Sequence, residues 1–421
     1  MNLPKILLIA VSFSICLFSC QASAQEILTW GDCLAETKKN NPDLISEEEN
    51  IKQSEASKKI TASGLLPQID SNASVTRGGT KGQTSNTHTY GVSSSQLLFD
   101  GLKTVNNVGA ASENLKAAQQ KYRFTSSQVR FRLRSAFIDL LRAQELIKVS
   151  EDIVKIRRSS LQLIALRYES GLEHKGALLT AEANLAQAEF EYNQAKRGLE
   201  VAQRQLTKEL GRMEFVPVTV QGDFTVSDFS LEKPDFETLA KNNPYLQQLT
   251  AQENSAAFGI KSAYGDFYPK ISAQGGIDKT GTHWAPNKEQ WDAGLTLTWP
   301  LFEGGLRLAQ VGQARAAFRQ AQAIKRSSRD GIVVTLEQTW ADLRDAVERV
   351  SVQQKVLTAA EERSKISEAQ YSTGFITYDN WSIIEDNRVQ AKKAYLDTQA
   401  NALAAEASWI QAKGETLEYA Q

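Results

Sequence analysis

The sequence predicts an α+β membrane protein, mostly α, built as a tandem structural repeat. Three observations predict it. Short motifs recur in the same order at an offset of 202 or 203 residues: NNP at Asn40 and Asn242, LPQI/YPKI at Leu66 and Tyr268, LLFDG/PLFEG at Leu97 and Pro300, RYESG/QYSTG at Arg167 and Gln370. Small and apolar residues step by four and three through Val129, Leu133, Ala136, Leu140, Ala143, Ile147, Ser150 and Val154, continuing to Ile164 and Tyr168. That is a heptad seam. Finally, Trp291, Ala293, Leu295, Leu297, Trp299 and Leu301 alternate with Asp292, Gly294, Thr296 and Thr298. A period of two with tryptophan near both ends is the pattern of a strand with lipid on one side and water on the other.

The elements follow in chain order. Lys5 precedes a short apolar run, Ile6–Phe18, and Ala22–Ala24 supplies small residues. This reads as a secretory signal over 1–24, cut after Ala24. A second reading keeps Cys20, in LFSC, as a lipidated residue. No later run is long and apolar enough for a transmembrane helix. Only Cys33 clearly survives export, so no intrachain disulfide framework is expected.

The first repeat spans 25–211. It opens with a helix near Thr29–Ser63, interrupted at NNP. Two weaker strands come next, with Ile69, Ala73 and Val75 on one face, and Tyr90, Val92 and Leu98 on one face. A helix from about Leu102 to Glu169 follows, free of proline and roughly 100 Å long at 1.5 Å per residue. After a tight turn a helix returns through Leu178, Ala181, Leu185, Ala188 and Tyr192. Residues 212–234 read as a connector of extended or loop structure. The second repeat, 235–421, runs through the same plan: a helix near Asp235–Tyr264, a strand with Ile271, Ala273, Gly275 and Ile277, the Trp291 strand, a long helix and a return helix from about Trp381.

The long seam alone fits a soluble coiled-coil rod. A second seam beside it (Leu146, Val149, Ile153, Ile156) means neighbours on two sides. Four strands cannot close a barrel, and an open edge cannot face lipid. Several copies must therefore share one: two give 8 strands and a filled interior, three give 12 and a lumen. Gly304 and Gly305 mark the point where sheet turns to helix.

Trp299–Ala321 (WPLFEGGLRLAQVGQARAAFRQA), Gln370–Trp381 (QYSTGFITYDNW) and the duplicated NNP helices resemble the TolC-like outer-membrane efflux proteins. The resemblance covers essentially the whole mature chain. It implies a homotrimer with a 12-stranded β-barrel in outer-membrane lipid, four strands per chain, continued by a long periplasmic α-helical barrel with an equatorial belt. It implies the exit duct of a tripartite efflux pump or of type I secretion. A periplasmic adaptor would dock on the helix tips, here Arg167, Tyr168, Gly171, Leu172, Gln370, Tyr371, Gly374 and Phe375. An inner-membrane transporter of the resistance-nodulation-division or ABC type would supply the energy. Trp291 and Trp299 would form the aromatic girdle, and Tyr371, Asp379 and Asn380 the periplasmic gate. The acidic positions six residues beyond each tip glycine are Ala177 and Asn380, the carboxylate partner of the tip tyrosine maps to Ala177, and the latch arginine maps to Ile376. The family's closing latch is therefore not expected in its usual form. Asp379 is either a helix N-terminal cap or a pore residue.

Nothing in the sequence points to catalysis. His88, His174 and His283 lie apart from one another and from Cys33, and are expected in two strand-to-strand loops and at a helix tip. There is no HExxH, GxSxG or P-loop. Met1 and Met213 are the only methionines, which gives no support for a methionine metal relay. No cofactor or metal is expected, and a net charge of −1 gives no case for nucleic acid. The competing reading is a periplasmic coiled-coil scaffold that never inserts.

Overall fold

The computed structural model describes residues 26–226 and 232–418. The signal segment and Cys20 lie outside the described residues.

In order, the elements are β1 (Glu26–Leu28), α1 (Trp30–Asn40), α2 (Pro42–Ser63), β2 (Gln68–Thr80), β3 (Gln83–Phe99), α3 (Lys103–Glu169) and α4 (Lys175–Leu210). Then come β4 (Val218–Val220), α5 (Phe236–Asn242), α6 (Pro244–Gly265), β5 (Lys270–Gly281), β6 (Lys288–Thr298), α7 (Leu306–Ser372) and α8 (Tyr378–Lys413). The two long helices each have 67 residues, and the two return helices 36. Among the described residues no helix is long and apolar enough to cross a membrane.

The NNP motif has one job in both halves. Asn41 ends α1 and caps α2: its side-chain oxygen accepts from Asp43 N at 3.0 Å, and Pro42 takes the first helical position, where a missing N–H costs nothing. Its amide donates to Glu209 O at 3.1 Å, at the end of α4. Asn243 repeats this with Tyr245 N at 2.9 Å and Ala412 O at 3.1 Å, near the end of α8. Each return helix ends in a left-handed glycine, Gly211 (φ 78°) or Gly414 (φ 81°). A Cβ on Gly211 would lie 2.4 Å from Asn40 O, and one on Gly414 2.4 Å from Pro244 Cδ. Each glycine thus serves both the backbone turn and the close approach to the kink.

The four long strands form one antiparallel sheet in the order β2-β3-β5-β6. The first two strands, weak in the sequence, are long in the structure, at 13 and 17 residues, joined by a turn at Gly82 (φ 97°). His88 falls inside β3 and pairs with Val75, so the expected loop position is corrected. His283 lies between β5 and β6, and His174 caps α4 through Nδ1, accepting from Ala177 N at 3.1 Å. One pairing had no sequence signal: β1 and β4 form a parallel two-stranded ribbon that ties the N-terminal segment to the connector.

The main core lies where this ribbon meets the helices. Leu28, Cys33, Leu44, Val129, Leu133, Phe137, Leu140, Leu206 and Val218 are buried together. The expected seam is therefore a packing surface: Val129, Leu133 and Leu140 are fully buried. The repeats differ in their company. Among the described residues α3 packs against α2, α4, α6 and α8, whereas α7 packs against α5, α6 and α8 and lacks a counterpart to the extensive α3–α8 contact.

Candidate functional site: the two-faced sheet and the helix tips

The ladder registers sort the sheet into two faces. Directly paired residues share a face. Rows Ser71–Val92–Ile277–Trp291 and Ile69–Ser94–Gly275–Ala293 lie on one side, and Ala73–Tyr90–Lys279–Glu289 continues it. Rows Asp70–Ser93–Gly276–Asp292 and Asn72–Gly91–Asp278–Gln290 lie on the other. The first side carries most of the exposed large apolar strand residues, including Val92, Ile277, Trp291, Leu295 and Leu297. The second is mostly Ser, Thr, Asn, Asp, Gln and Gly, with Lys270 and Lys288 near strand ends and one apolar residue, Leu97, opposite Ser272. Its carboxylates fill the space over glycine: a Cβ on Gly91 would strike Asp278 Oδ1, and one on Gly276 would lie 3.1 Å from Asp292 Oδ1. Such a sheet has a lipid side and a water side.

Beyond the apolar band, Trp299 donates its ring N–H to Phe267 O at 3.2 Å. The chain then enters α7 through Gly304 (φ 59°) and Gly305 (φ 88°). In the first repeat this junction is Gly101 (φ 68°) and Leu102 (φ 64°), a non-glycine residue in the left-handed region.

At the far end of the long helices, the two hairpin tips come together. Gly171 (φ 70°) and Gly374 (φ 82°) close them identically: each glycine N–H donates to the carbonyl of a tip tyrosine, Tyr168 or Tyr371, at 3.0 Å. The next residues, Leu172 and Phe375, are 67% and 83% exposed. Gln370 lies on the surface, and Tyr168 is partly exposed. Tyr371 differs from Tyr168. It is buried with Ile164, Ala177, Ala181, Tyr378 and Trp381, stacked on Trp381 at 4.7 Å between centroids.

Two charged groups fix Tyr371. Its hydroxyl donates to Glu173 Oε2 at 2.7 Å. The Arg167 guanidinium lies 4.8 Å from the ring centroid and donates to Tyr371 O and Ser372 O, both at 3.3 Å. Burial, and then the Glu173 carboxylate, push the phenol well above its ordinary range, so it stays a donor. A tyrosine–carboxylate bond between the tips therefore exists, with the carboxylate drawn from the turn rather than from position 177. Ala177, 1% exposed, packs in the same buried cluster instead.

The structure also decides the capping of α8. Thr377 is the N-cap, accepting from Asn380 N at 3.5 Å. Asp379 is not the cap; it lies exposed in the first turn, where a negative charge suits the helix dipole. Sequence reasoning missed Glu173, Tyr378 and Trp381 as tip residues. The aromatic pair at Tyr378 and Trp381 carried a signal, because its spacing of three puts both rings on one face of a helix. Glu173 carried none.

A family model described as outer membrane efflux protein matches the chain twice, over residues 33–212 and 236–415. The chain belongs to the outer membrane efflux protein family. The outer membrane efflux protein BepC of Brucella suis is 21% identical over 347 residues, covering 81% of this chain and 75% of that protein. The alkaline protease secretion protein AprF of Pseudomonas aeruginosa is 26% identical over 205 residues, covering 47% of this chain and 43% of its own length. Among solved structures, CusC superposes with a TM-score of 0.84 at 17% identity, covering 90% of this chain and 91% of that one.

With the family comes the fold class: four strands per chain toward a trimeric 12-stranded barrel, continued by a long helical barrel. This efflux protein is an outer-membrane exit duct with a large periplasmic part, of the kind used by tripartite pumps or type I secretion, and it is not an enzyme. The scaffold that never inserts is set aside, since family membership and a sheet with an apolar outer face both place the protein in lipid.

Proposed function

We propose that three copies of this efflux protein assemble into one continuous conduit, with adaptor docking and gating at the tips described above. The observation that carries the assembly is what each chain leaves unpaired. The sheet has two open edges, β2 and β6, and these are long. The helices repeat the deficit. Ile153 on α3 is 3% exposed beneath α8, while its counterpart Val356 on α7 is 47% exposed. By the internal repeat, what α8 does for α3 must be done for α7 by α4 of a neighbouring copy. α4 keeps Leu179, Phe190 and Val201 exposed. Sheet edge and helix face thus ask for the same neighbour, and a ring closes both.

Leu172 and Phe375, apolar and solvent-facing on glycine turns, suit capture by a periplasmic adaptor. Tyr371, with Glu173 and Arg167, holds the two tips of one chain together, which suits a resting gate. Asp379 and Asn380, exposed beside it, are candidates for the pore lining at the entrance. Passage is passive, down a lumen faced by the polar side of the sheet. An inner-membrane transporter of the resistance-nodulation-division or ABC type drives it.

The test is the state of the protein extracted from outer membranes. A heat-modifiable trimer that conducts ions in planar bilayers is expected. Release from membranes by carbonate as a water-soluble monomer overturns the reading.

A further inference from the structure

Close behind the tip cluster lies a cavity of about 10 Å³ between α8 and the α3/α4 hairpin. Arg157 and Ser160 of α3, Asn184 of α4, and Trp381, Ser382 and Glu385 of α8 line it. Two polar atoms of these residues are buried without a partner, the Trp381 ring N–H and Glu385 Oε2. Both residues are only 3% exposed. The other Glu385 oxygen accepts from Ser364 on α7. Arg388 does not complete the shell. Its Nη1 donates to Ser364 Oγ at 3.1 Å and stays 3.6 Å from Glu385 Oε2, too far for a hydrogen bond.

A donor and an acceptor, both buried and both unpaired, on one wall of a cavity are an unstable arrangement unless something fills it. The volume matches the least room one water needs. A water satisfies the set. Its oxygen accepts the Trp381 N–H and one hydrogen goes to Glu385 Oε2. On the α3 wall, Ser160 Oγ gives its own hydrogen to Ile156 O at 3.0 Å, which leaves its oxygen as an acceptor for the second hydrogen. A cation fits poorly, because an indole N–H and the Arg157 guanidinium share the wall.

We propose that a single water molecule occupies this cavity and pins α8 to the α3/α4 hairpin, so that parting the tips requires breaking its bonds. The pinning rests on the conduit reading; occupancy of the cavity does not. The site's wall comes from three helices, and Glu385 links the water onward to α7, so one small molecule joins both hairpins of the chain.

A density map of the wild-type protein in detergent, fine enough to show ordered water, is expected to hold a peak within hydrogen-bond reach of Trp381 Nε1 and Glu385 Oε2. Empty density overturns the site. Ser160→Val fills the space and evicts the water, and is expected to raise spontaneous open probability in planar bilayers on the order of tenfold, the loss of about one hydrogen bond's net worth. Ser160→Ala removes one acceptor, keeps the water and moves the value less. A filled cavity with unchanged opening in Ser160→Val overturns the pinning. Absence of any conductance in the wild type strikes the conduit reading instead, and the map still decides the water.

Discussion

Leu102 is the one non-glycine residue with positive φ among the described residues, at the point where β3 gives way to α3. Its counterpart in the second repeat is Gly305, which takes the same conformation without a Cβ. Leu102 is 58% exposed, so little packing offsets the strain. Leu102→Gly is expected to stabilise the protein by about 1 kcal/mol, the lower end of the left-handed penalty for an L-residue, read as a higher denaturation midpoint. Cys33 makes the opposite kind of statement. It is fully buried, and burial, followed by the charges of Glu36 and Asp32, pushes its thiol up to about 12. A raised value favours the neutral thiol. The stability this contributes is complete below about pH 8.5, the unperturbed value, and is lost as pH rises toward about 12. Native protein at about pH 8 is expected to leave Cys33 unlabelled by thiol reagents, with full labelling only after denaturation. Labelling at the rate of a free thiol would show that the core around β1 and α1 opens.

Among the elements, the sheet is the one whose two sides can be told apart by experiment. Leu295 and Thr296 are neighbours in β6 on opposite faces. Leu295→Arg is expected to cost about 2–4 kcal/mol of barrel stability and to cut the yield of assembled protein, while Thr296→Arg assembles normally. Equal damage from both would mean that neither face meets lipid. The strands also show where sequence reading stops. β6 was legible because Trp, Leu and Ala alternate with Thr, Asp and Gly without a break. β2 and β3 were faint because serine occupies both of their faces, as at Ser71 and Ser94 outside and Ser74 and Ser93 inside, and only the ladder register separates the two. The β1–β4 ribbon, three residues on each side, is too short for any periodicity to reveal. At the tips, the glycine turns and Tyr371 were readable from the repeat. The bond from Tyr371 to Glu173 was not, because a turn carboxylate two residues past a glycine has no helical phase to declare its direction.

For the molecule as a whole, the repeat that made the sequence readable also sets its assembly. Val356 occupies on α7 the place that Ile153 occupies on α3, yet only Ile153 is covered within the chain. Val356→Lys is expected to leave helix content unchanged and to abolish the oligomer, measured by circular dichroism and light scattering. An intact oligomer would mean that this face of α7 is not the joint. The mirrored ties at Asn41 and Asn243, each fastening a kinked entry helix to the end of its return helix, explain why both halves of one chain can be complete units in their equatorial parts and incomplete beyond them.

The unequal company of α3 and α7 has a consequence for the protein's journey. The first long helix is dressed by its own chain as soon as the second half arrives, whereas the second carries an oily stripe until a sibling comes. Between secretion and insertion each newly made chain is therefore sticky along one flank. Its maturation depends on local concentration and on escort proteins that shield that flank, and crowding of half-finished chains is the stage at which misassembly begins.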